Sequence, residues 1–404
     1  MKNERSNRVQ KTNFLKIFLE ERNPGSYYKS LENRLNGETV LSTTKAHEDL
    51  NIGSVYEIKD FPGYLSAGAA HDEGWRIKTV NTFDGSYIYL GNYTSAEDYF
   101  KKKFSPKRRS RLRTYQRRLD KVFDIQYQHF YGDISKKEYR FVLTELKELI
   151  IKRFDQKNTV HDDLHLWEHY YNIVYDLILN KQAVLFVISD GKKPISIALN
   201  LINRNLMFPY IRGFDTDYSK FYPGYIDFSE QIKWAFNHNI QVFDLLKGTY
   251  PYKDRLKDST YFFQKQILYN SNNLKCLIRA NALFFVNRLF YALYHFSKKV
   301  GVYLLYKRLK GNADTRKSTG NSRAKNYTVD KLVTPPPSEE LVPVDINSGL
   351  FNSLRRPTYD FMYSAEEMLS AIAVFQIRSK PNSFIITGSD QNRLITLTTP
   401  THNP

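Results

Sequence analysis

Between Phe243 and Asp254 the chain reads Phe-Asp-Leu-Leu-Lys-Gly-Thr-Tyr-Pro-Tyr-Lys-Asp. This stretch puts a carboxylate on an apolar run, then a flexible glycine, two phenols and an ammonium. Tyr250, Tyr252 and Lys253 are the side-chain types that stabilise charge developing on a carbonyl oxygen or move protons in acyl transfer. Asp244 is a candidate base, or a group that orients one. The plain alternatives are that Asp244 caps a loop and Lys253 is a solvated charge. A second candidate is Ser219-Lys220-Phe221-Tyr222-Pro223-Gly224-Tyr225, a small polar loop entering a helix. Unpaired N–H groups and the positive end of the dipole suit a pyrophosphate there. Gly224 permits close backbone approach, Pro223 stiffens the turn, and Lys220 or Arg212 screens charge. Pro-Gly before a helix is also ordinary turn punctuation.

His161, His165 and His169 would stack on one helix face, but no fourth ligand is implied and no metal is assigned. The single cysteine, Cys276, precedes an apolar helix and reads as a buried inert thiol. It excludes a disulfide scaffold and a four-thiolate zinc site. No Ser/His/Asp elbow, Walker A or Rossmann glycine pattern is present.

The elements that position these residues follow from hydrophobic period. Residues 136–154 and 164–179 predict two helices, and 183–189, 194–202 and 206–214 predict three antiparallel strands separated by turn residues. A helix striped by Phe228, Ile232, Ala235 and Phe236 follows. Residues 240–246 are a buried strand and 261–269 an alternating one. This is an α+β layout of mixed, mostly antiparallel sheets with flanking helices and one parallel step. Upstream, 12–35 carries helical patterning. Residues 75–82 and 87–90 read as two strands joined by a Phe83-Asp84-Gly85-Ser86 turn, and 122–131 as another strand.

Charge adds a partner class. The 404 residues carry 60 Lys and Arg against 42 Asp and Glu, a net charge of +18. From Lys101 to Lys121 only Asp120 is acidic, and Lys107, Arg108, Arg111, Tyr115 and Arg118 recur at helical spacing. That face suits nucleic acid, an anionic small molecule, a lipid headgroup or glycan, or solvent alone. Residues 274–308 form a long aromatic helical stretch interrupted by cations, a poor transmembrane span that either packs on the body or lies on an anionic membrane. Mean hydropathy of −0.53 excludes a polytopic membrane protein. The N-terminus lacks a signal-peptide core, so the expectation is a cytoplasmic protein, peripheral at the inner membrane face if the aromatic helix meets lipid. Gly311 to Lys325 is polar and basic, and a triple proline follows at 335–337. The tail is expected to be largely disordered, with one helix and two short strands after residue 359.

Together, the two loops and the basic helix resemble the GNAT acyltransferases. More narrowly, they are similar to the CelD-like acetyltransferases of polysaccharide biosynthesis and the related FemABX peptidyltransferases. The resemblance rests on Ser105 to Arg113 as the leading basic helix, Tyr222-Pro223-Gly224 as the turn, and Phe243-Asp244, Gly248 and Tyr252-Lys253 as the closing strand and pair. It implies tandem GNAT-like lobes: a degenerate lobe over 1–104, an acyltransferase domain over 105–272, the aromatic basic helix over 273–310, and the linker and tail over 311–404. It also implies acetyl-CoA or another acyl-CoA as co-substrate, with its pyrophosphate at Arg212, Lys220, Tyr222, Pro223, Gly224 and Tyr225. Arg108, Arg111 and Tyr115 would face the acceptor, a sugar, glycan precursor or related metabolite. Lys253 would stabilise the acyl oxyanion or the donor's ribose-phosphate end, Asp244 would act as base or base-orienter, and Tyr250 or Tyr252 as acid. Tyr252 stands where Fem enzymes usually have Phe, and no inserted helical hairpin is evident; both favour acyl-CoA over aminoacyl-tRNA. A non-catalytic nucleic-acid- or membrane-binding protein is the remaining alternative.

Overall fold

The computed structural model describes residues 9–46, 48, 50–69, 73–155, 162–248, 250–300, 327–332 and 336–398. The strands are β1 (Val9–Asn13), β2 (Ser30–Asn33), β3 (Glu38–Ser42), β4 (Val55–Pro62), β5 (Leu65–Gly68) and β6 (Trp75–Tyr89). After α1 (Ala96–Lys103) and α2 (Pro106–Val122) come β7 (Ile125–Phe130), α3 (Lys136–Asp155) and α4 (Trp167–Leu179). Then follow β8 (Ala183–Asp190), β9 (Lys193–Asn203), β10 (Leu206–Phe214), α5 (Pro223–Asn237), β11 (Val242–Lys247), α6 (Pro251–Asp254) and β12 (Ser259–Asn270). The remainder is α7 (Leu274–Lys299), β13 (Tyr327–Leu332), β14 (Leu341–Pro343), α8 (Asn352–Ala365), β15 (Ala373–Ile377), β16 (Lys380–Thr387) and β17 (Asn392–Leu397). By contacts these residues divide into two compact units, each discontinuous along the chain: 1–93 with 201–209 and 238–319, and 94–200 with 210–237 and 320–404.

In the first unit the strand order is β1, β4, β12, β6, β11, with the start of β10 added parallel to β11. Long antiparallel ladders join β12 to both β4 and β6. The pairing of β10 with β11 covers only Leu206 with Val242 and Met207 with Phe243. Beyond it β11 pairs with β6, with an irregularity between Asp244 and Lys247. Helix α7 packs along β6 and β12.

Two local readings are corrected here. Residues 83–86 are not a turn: β6 runs unbroken from Trp75 to Tyr89. Gly85 is there for space, since a Cβ on it would meet the Tyr261 ring at 2.5 Å. The 12–35 stretch is not a regular helix but the end of β1, one π-helical turn at Lys16–Glu20, a short 3-10 turn and β2. Ile17, Phe18 and Leu19, buried on that single turn, and Phe14 just before it supply its helical look.

In the second unit the order is β10, β9, β8, β7. Every residue of β8 from Ala183 to Ser189 is buried, as the nearly unbroken apolar run requires. Helices α4 and α5 both pack on this strand. Asp215, which begins the turn before α5, is 1% exposed and held by Lys152 at 2.6 Å and Lys193 at 2.8 Å.

The tail departs from expectation. Instead of one helix and two short strands it forms α8 and a five-stranded sheet, β13-β17-β16-β15-β14. Met362, Leu354, Phe384 and Ile386 are each fully buried, in a cluster that also holds Leu119 of α2 and Phe221. Short strands punctuated by Pro and Asn gave little period to read, and the burial comes from contacts with distant residues.

Candidate functional site

In the first unit, Asp244 lies on β11 with no exposed surface. Its Oδ1 accepts from the Leu246 N–H at 2.7 Å. The hydroxyl of Tyr261 donates to Oδ2 at 2.7 Å, and that of Tyr64 donates to the same oxygen at 2.8 Å. Tyr64 sits between β4 and β5, Tyr261 on β12, and their rings meet edge to face at 5.0 Å. Burial pushes the Asp244 carboxyl up to about 6, while the tyrosine and backbone hydrogen bonds and Lys253 pull it back. The same burial, and then the carboxylate itself, raise Tyr64 and Tyr261 well above the ordinary phenol value.

This carboxylate shapes the end of the strand. Leu246 has φ +60, a left-handed conformation that a leucine adopts only under constraint. The hydrogen bond from its N–H to Asp244 supplies that constraint. The ladder with β6 is irregular between Asp244 and Lys247, and Lys253 reaches back from α6 to the Leu246 and Lys247 carbonyls at this strand end. Its ammonium donates to Lys247 O at 2.5 Å and Leu246 O at 3.4 Å. Burial pulls the Lys253 amine down to about 8, opposed by Asp244. Lys253 also lies over the Tyr250 ring at 5.3 Å. Tyr250 and Tyr252 are stacked on each other and are 57% and 48% exposed. All four catalytic candidates therefore meet at the end of β11: two buried groups that fix the backbone and two accessible phenols. Lys247, paired with Asp60, borders the same point.

In the second unit, the turn before α5 ends at Tyr222, whose φ of 55 is again left-handed. Pro223 opens the helix. Arg212 on β10 pairs through Nε with Asp227 at 2.8 Å and donates through Nη2 to the Gly224 carbonyl. Asp227 is fully buried, and burial raises its carboxyl although Arg212 and Gln231 oppose the shift. A Cβ on Gly224 would meet Arg212 Nη2 at 3.0 Å, so a larger residue there would push the guanidinium aside by a few tenths of an ångström. Helix α2 lies against the turn. The Tyr115 ring stacks on Tyr222 with centroids 4.3 Å apart. Arg108 donates to the Tyr225 hydroxyl at 3.3 Å and covers its ring. Arg111 is exposed on the same helix, and Lys220 lies over Tyr363 of α8 at 5.9 Å. Residues expected to hold the donor (Tyr222, Tyr225) and residues expected to face the acceptor (Tyr115, Arg108) are thus neighbours.

Sequence reasoning missed Tyr64, Tyr261 and Lys247. Tyr261 carried a signal in retrospect: it alternates inward along β12 opposite a glycine. Tyr64 carried none. Among the described residues no group of three His, Cys, Asp or Glu side chains is arranged to hold a metal; His161 lies outside them.

Residues 106–254 match the family model described as acetyltransferase (GNAT) domain. The match begins at the first residue of α2 and ends at the last of α6. No curated protein matches the chain. Similar solved structures include FemX, at 12% identity and TM-score 0.39 over 55% of this chain and 74% of that one. They also include L-PGS from Bacillus licheniformis, at 12% and 0.32 over 57% and 71%. A GCN5-related N-acetyltransferase from Kribbella flavida is similar at 10% and 0.27 over 54% and 68%. The α2-to-α6 segment, which supplies nearly every candidate residue described above, is thus similar to GNAT-type acetyltransferase domains.

Proposed function

We propose that the protein transfers an acyl group, acetyl in the simplest case, from coenzyme A to an amine or hydroxyl on a sugar, glycan precursor or related metabolite. The observation that carries this reading is the family match from α2 to α6, which spans both candidate clusters. The turn at 222–225 suits the donor pyrophosphate: it opens helix α5, whose dipole favours an anion, with Arg108 on the Tyr225 hydroxyl and Lys220 in the turn itself as neutralising charge.

In the reaction, the acceptor nitrogen or oxygen forms a bond to the thioester carbon as the carbon–sulfur bond breaks. The leaving thiolate takes a proton from a phenol, and the phenolate so formed is restored by the proton that the acceptor gives up. Tyr250 and Tyr252, both exposed, are the phenols able to protonate the thiolate. Asp244 has both oxygens occupied and no exposed surface, so it acts as a positioning residue through Tyr64, Tyr261 and the Leu246 amide. Lys253 neutralises the carbonyls at the strand end and supplies positive potential where an oxyanion would form. Release of free thiol from acetyl-CoA, measured with a panel of amino and hydroxy sugars, tests the reading. Near-wild-type rates in both Lys253→Ala and Asp244→Asn would reject this placement of the site.

One observation favours a second donor, aminoacyl-tRNA. A cavity of about 990 Å³ between α1, α2 and α5 is lined by Lys101, Arg109, Arg113 and Lys233 against a single acid, Glu97. That balance suits a phosphate backbone. Offering both donors in the same assay separates the two readings.

A further inference from the structure

Helix α7 is apolar on two opposite sides. One side is used: Cys276, Ala280 and Tyr291 are buried, and the helix packs along β4, β6 and β12. Lys265 donates to Asn287 at 2.8 Å and fixes that face. On the other side Phe285, Val286, Leu289, Leu293 and Phe296 are each 59–67% exposed. Their spacing winds them into one stripe. An exposed apolar stripe of this length on a helix that already has a packed face marks a contact surface.

Charge indicates what it meets. From residue 274 to 300 the sequence has five cations, Lys275, Arg279, Arg288, Lys298 and Lys299, and no Asp or Glu. A second copy of the chain would set two acid-free, cationic helices against each other, which repel. An anionic bilayer satisfies both features, since acyl chains accept the aromatic stripe and phosphate headgroups the flanking cations. By length and composition α7 is apolar enough to cross a membrane, but its packed face holds it along the sheet. That packing suits a helix lying in the plane of an interface rather than across it.

We propose that α7 is an interfacial helix that docks this protein on an anionic lipid surface through Phe285, Leu289 and Phe296, with Arg288 and Lys299 at the headgroups. Docking rests on this surface alone and is independent of the donor and acceptor of the transfer reaction. The test is flotation of the full chain with vesicles of phosphatidylcholine alone and of equal parts phosphatidylcholine and phosphatidylglycerol, at low and high salt. The expected result is binding about tenfold or more tighter on the anionic vesicles, weakened by salt. The Phe285→Ser/Leu289→Ser/Phe296→Ser variant, whose side chains are exposed and should leave the melting temperature unchanged, is expected to lose it. Arg288→Gln/Lys299→Gln is expected to reduce the preference for anionic lipid. The proposal is overturned if wild type ignores both vesicles or prefers neither, or if the serine variant floats like wild type. A dimer that the serine variant dissolves, in a protein that does not float, would equally overturn it in favour of a second copy.

Discussion

Replacing Asp244 by asparagine alters one ionisable group at the centre of a buried hydrogen-bonded knot and nearly preserves its shape. The carboxyl titrates near 6 in the folded chain, against 3.8 when unfolded. A folded value above the unfolded one means that the protonated form is the one the fold favours. The stability this contributes is complete below about pH 4 and is lost as pH rises through 6. A difference of roughly two units corresponds to about 3 kcal/mol. Asparagine has no such titration. It keeps an oxygen for the Leu246 N–H but gives Tyr64 and Tyr261 only that oxygen to share, a pH-independent cost of about 1–2 kcal/mol. Urea unfolding of both proteins at intervals between about pH 4 and pH 7 reads the difference. The fluorescence of Trp75, buried beside Tyr56 in the same unit, reports on the region. Wild type should lose stability relative to the variant across this range, by about 3 kcal/mol in all. Parallel curves would show that Asp244 is ordinarily solvated, and the account of the knot would fail.

Other outcomes follow from the same geometry. Lys253→Met removes the donor to the Leu246 and Lys247 carbonyls and should slow transfer while lowering stability by about 1–3 kcal/mol, read by unfolding and thiol release. Because burial lowers its amine to about 8, the Lys253 contribution is complete above its unfolded value and lost as pH falls through 8, so the variant should show less gain in stability between pH 8 and 10 than wild type. Met362→Ala opens a cavity in the cluster beneath α8 and should cost about 2–5 kcal/mol, with faster proteolysis between residues 338 and 397. Cys276 is 1% exposed, with its thiol pushed up by burial. Native protein should react slowly with a disulfide reagent and unfolded protein fast.

The run from α3 to β12 was legible because its elements are long and strongly periodic, and because β8 and β9 are largely apolar. The parallel step across α5 could be read from order alone. Phe83-Asp84-Gly85-Ser86 misled because a glycine that makes room for an aromatic ring has the same local signature as a glycine that turns a chain. The candidate residues on β11 and α6 stood out by type, but what they do to one another did not. That Asp244 is sealed by two tyrosines, one from 180 residues upstream and one from the neighbouring ladder, depends on strand pairing that no local window contains. The same holds for Tyr115 on Tyr222, where a helical face predicted the cations but not the ring they bracket.

Calorimetric titration of acetyl-CoA into the full chain, repeated on Arg108→Ala/Arg111→Ala, bears most directly on the use of a phosphorylated acyl carrier. Saturable binding is expected in wild type, weakened about tenfold to a hundredfold in the variant by the loss of charge-assisted contacts to phosphate. A wild-type chain that takes up no acetyl-CoA, or a variant that binds it as tightly, would contradict the assignment.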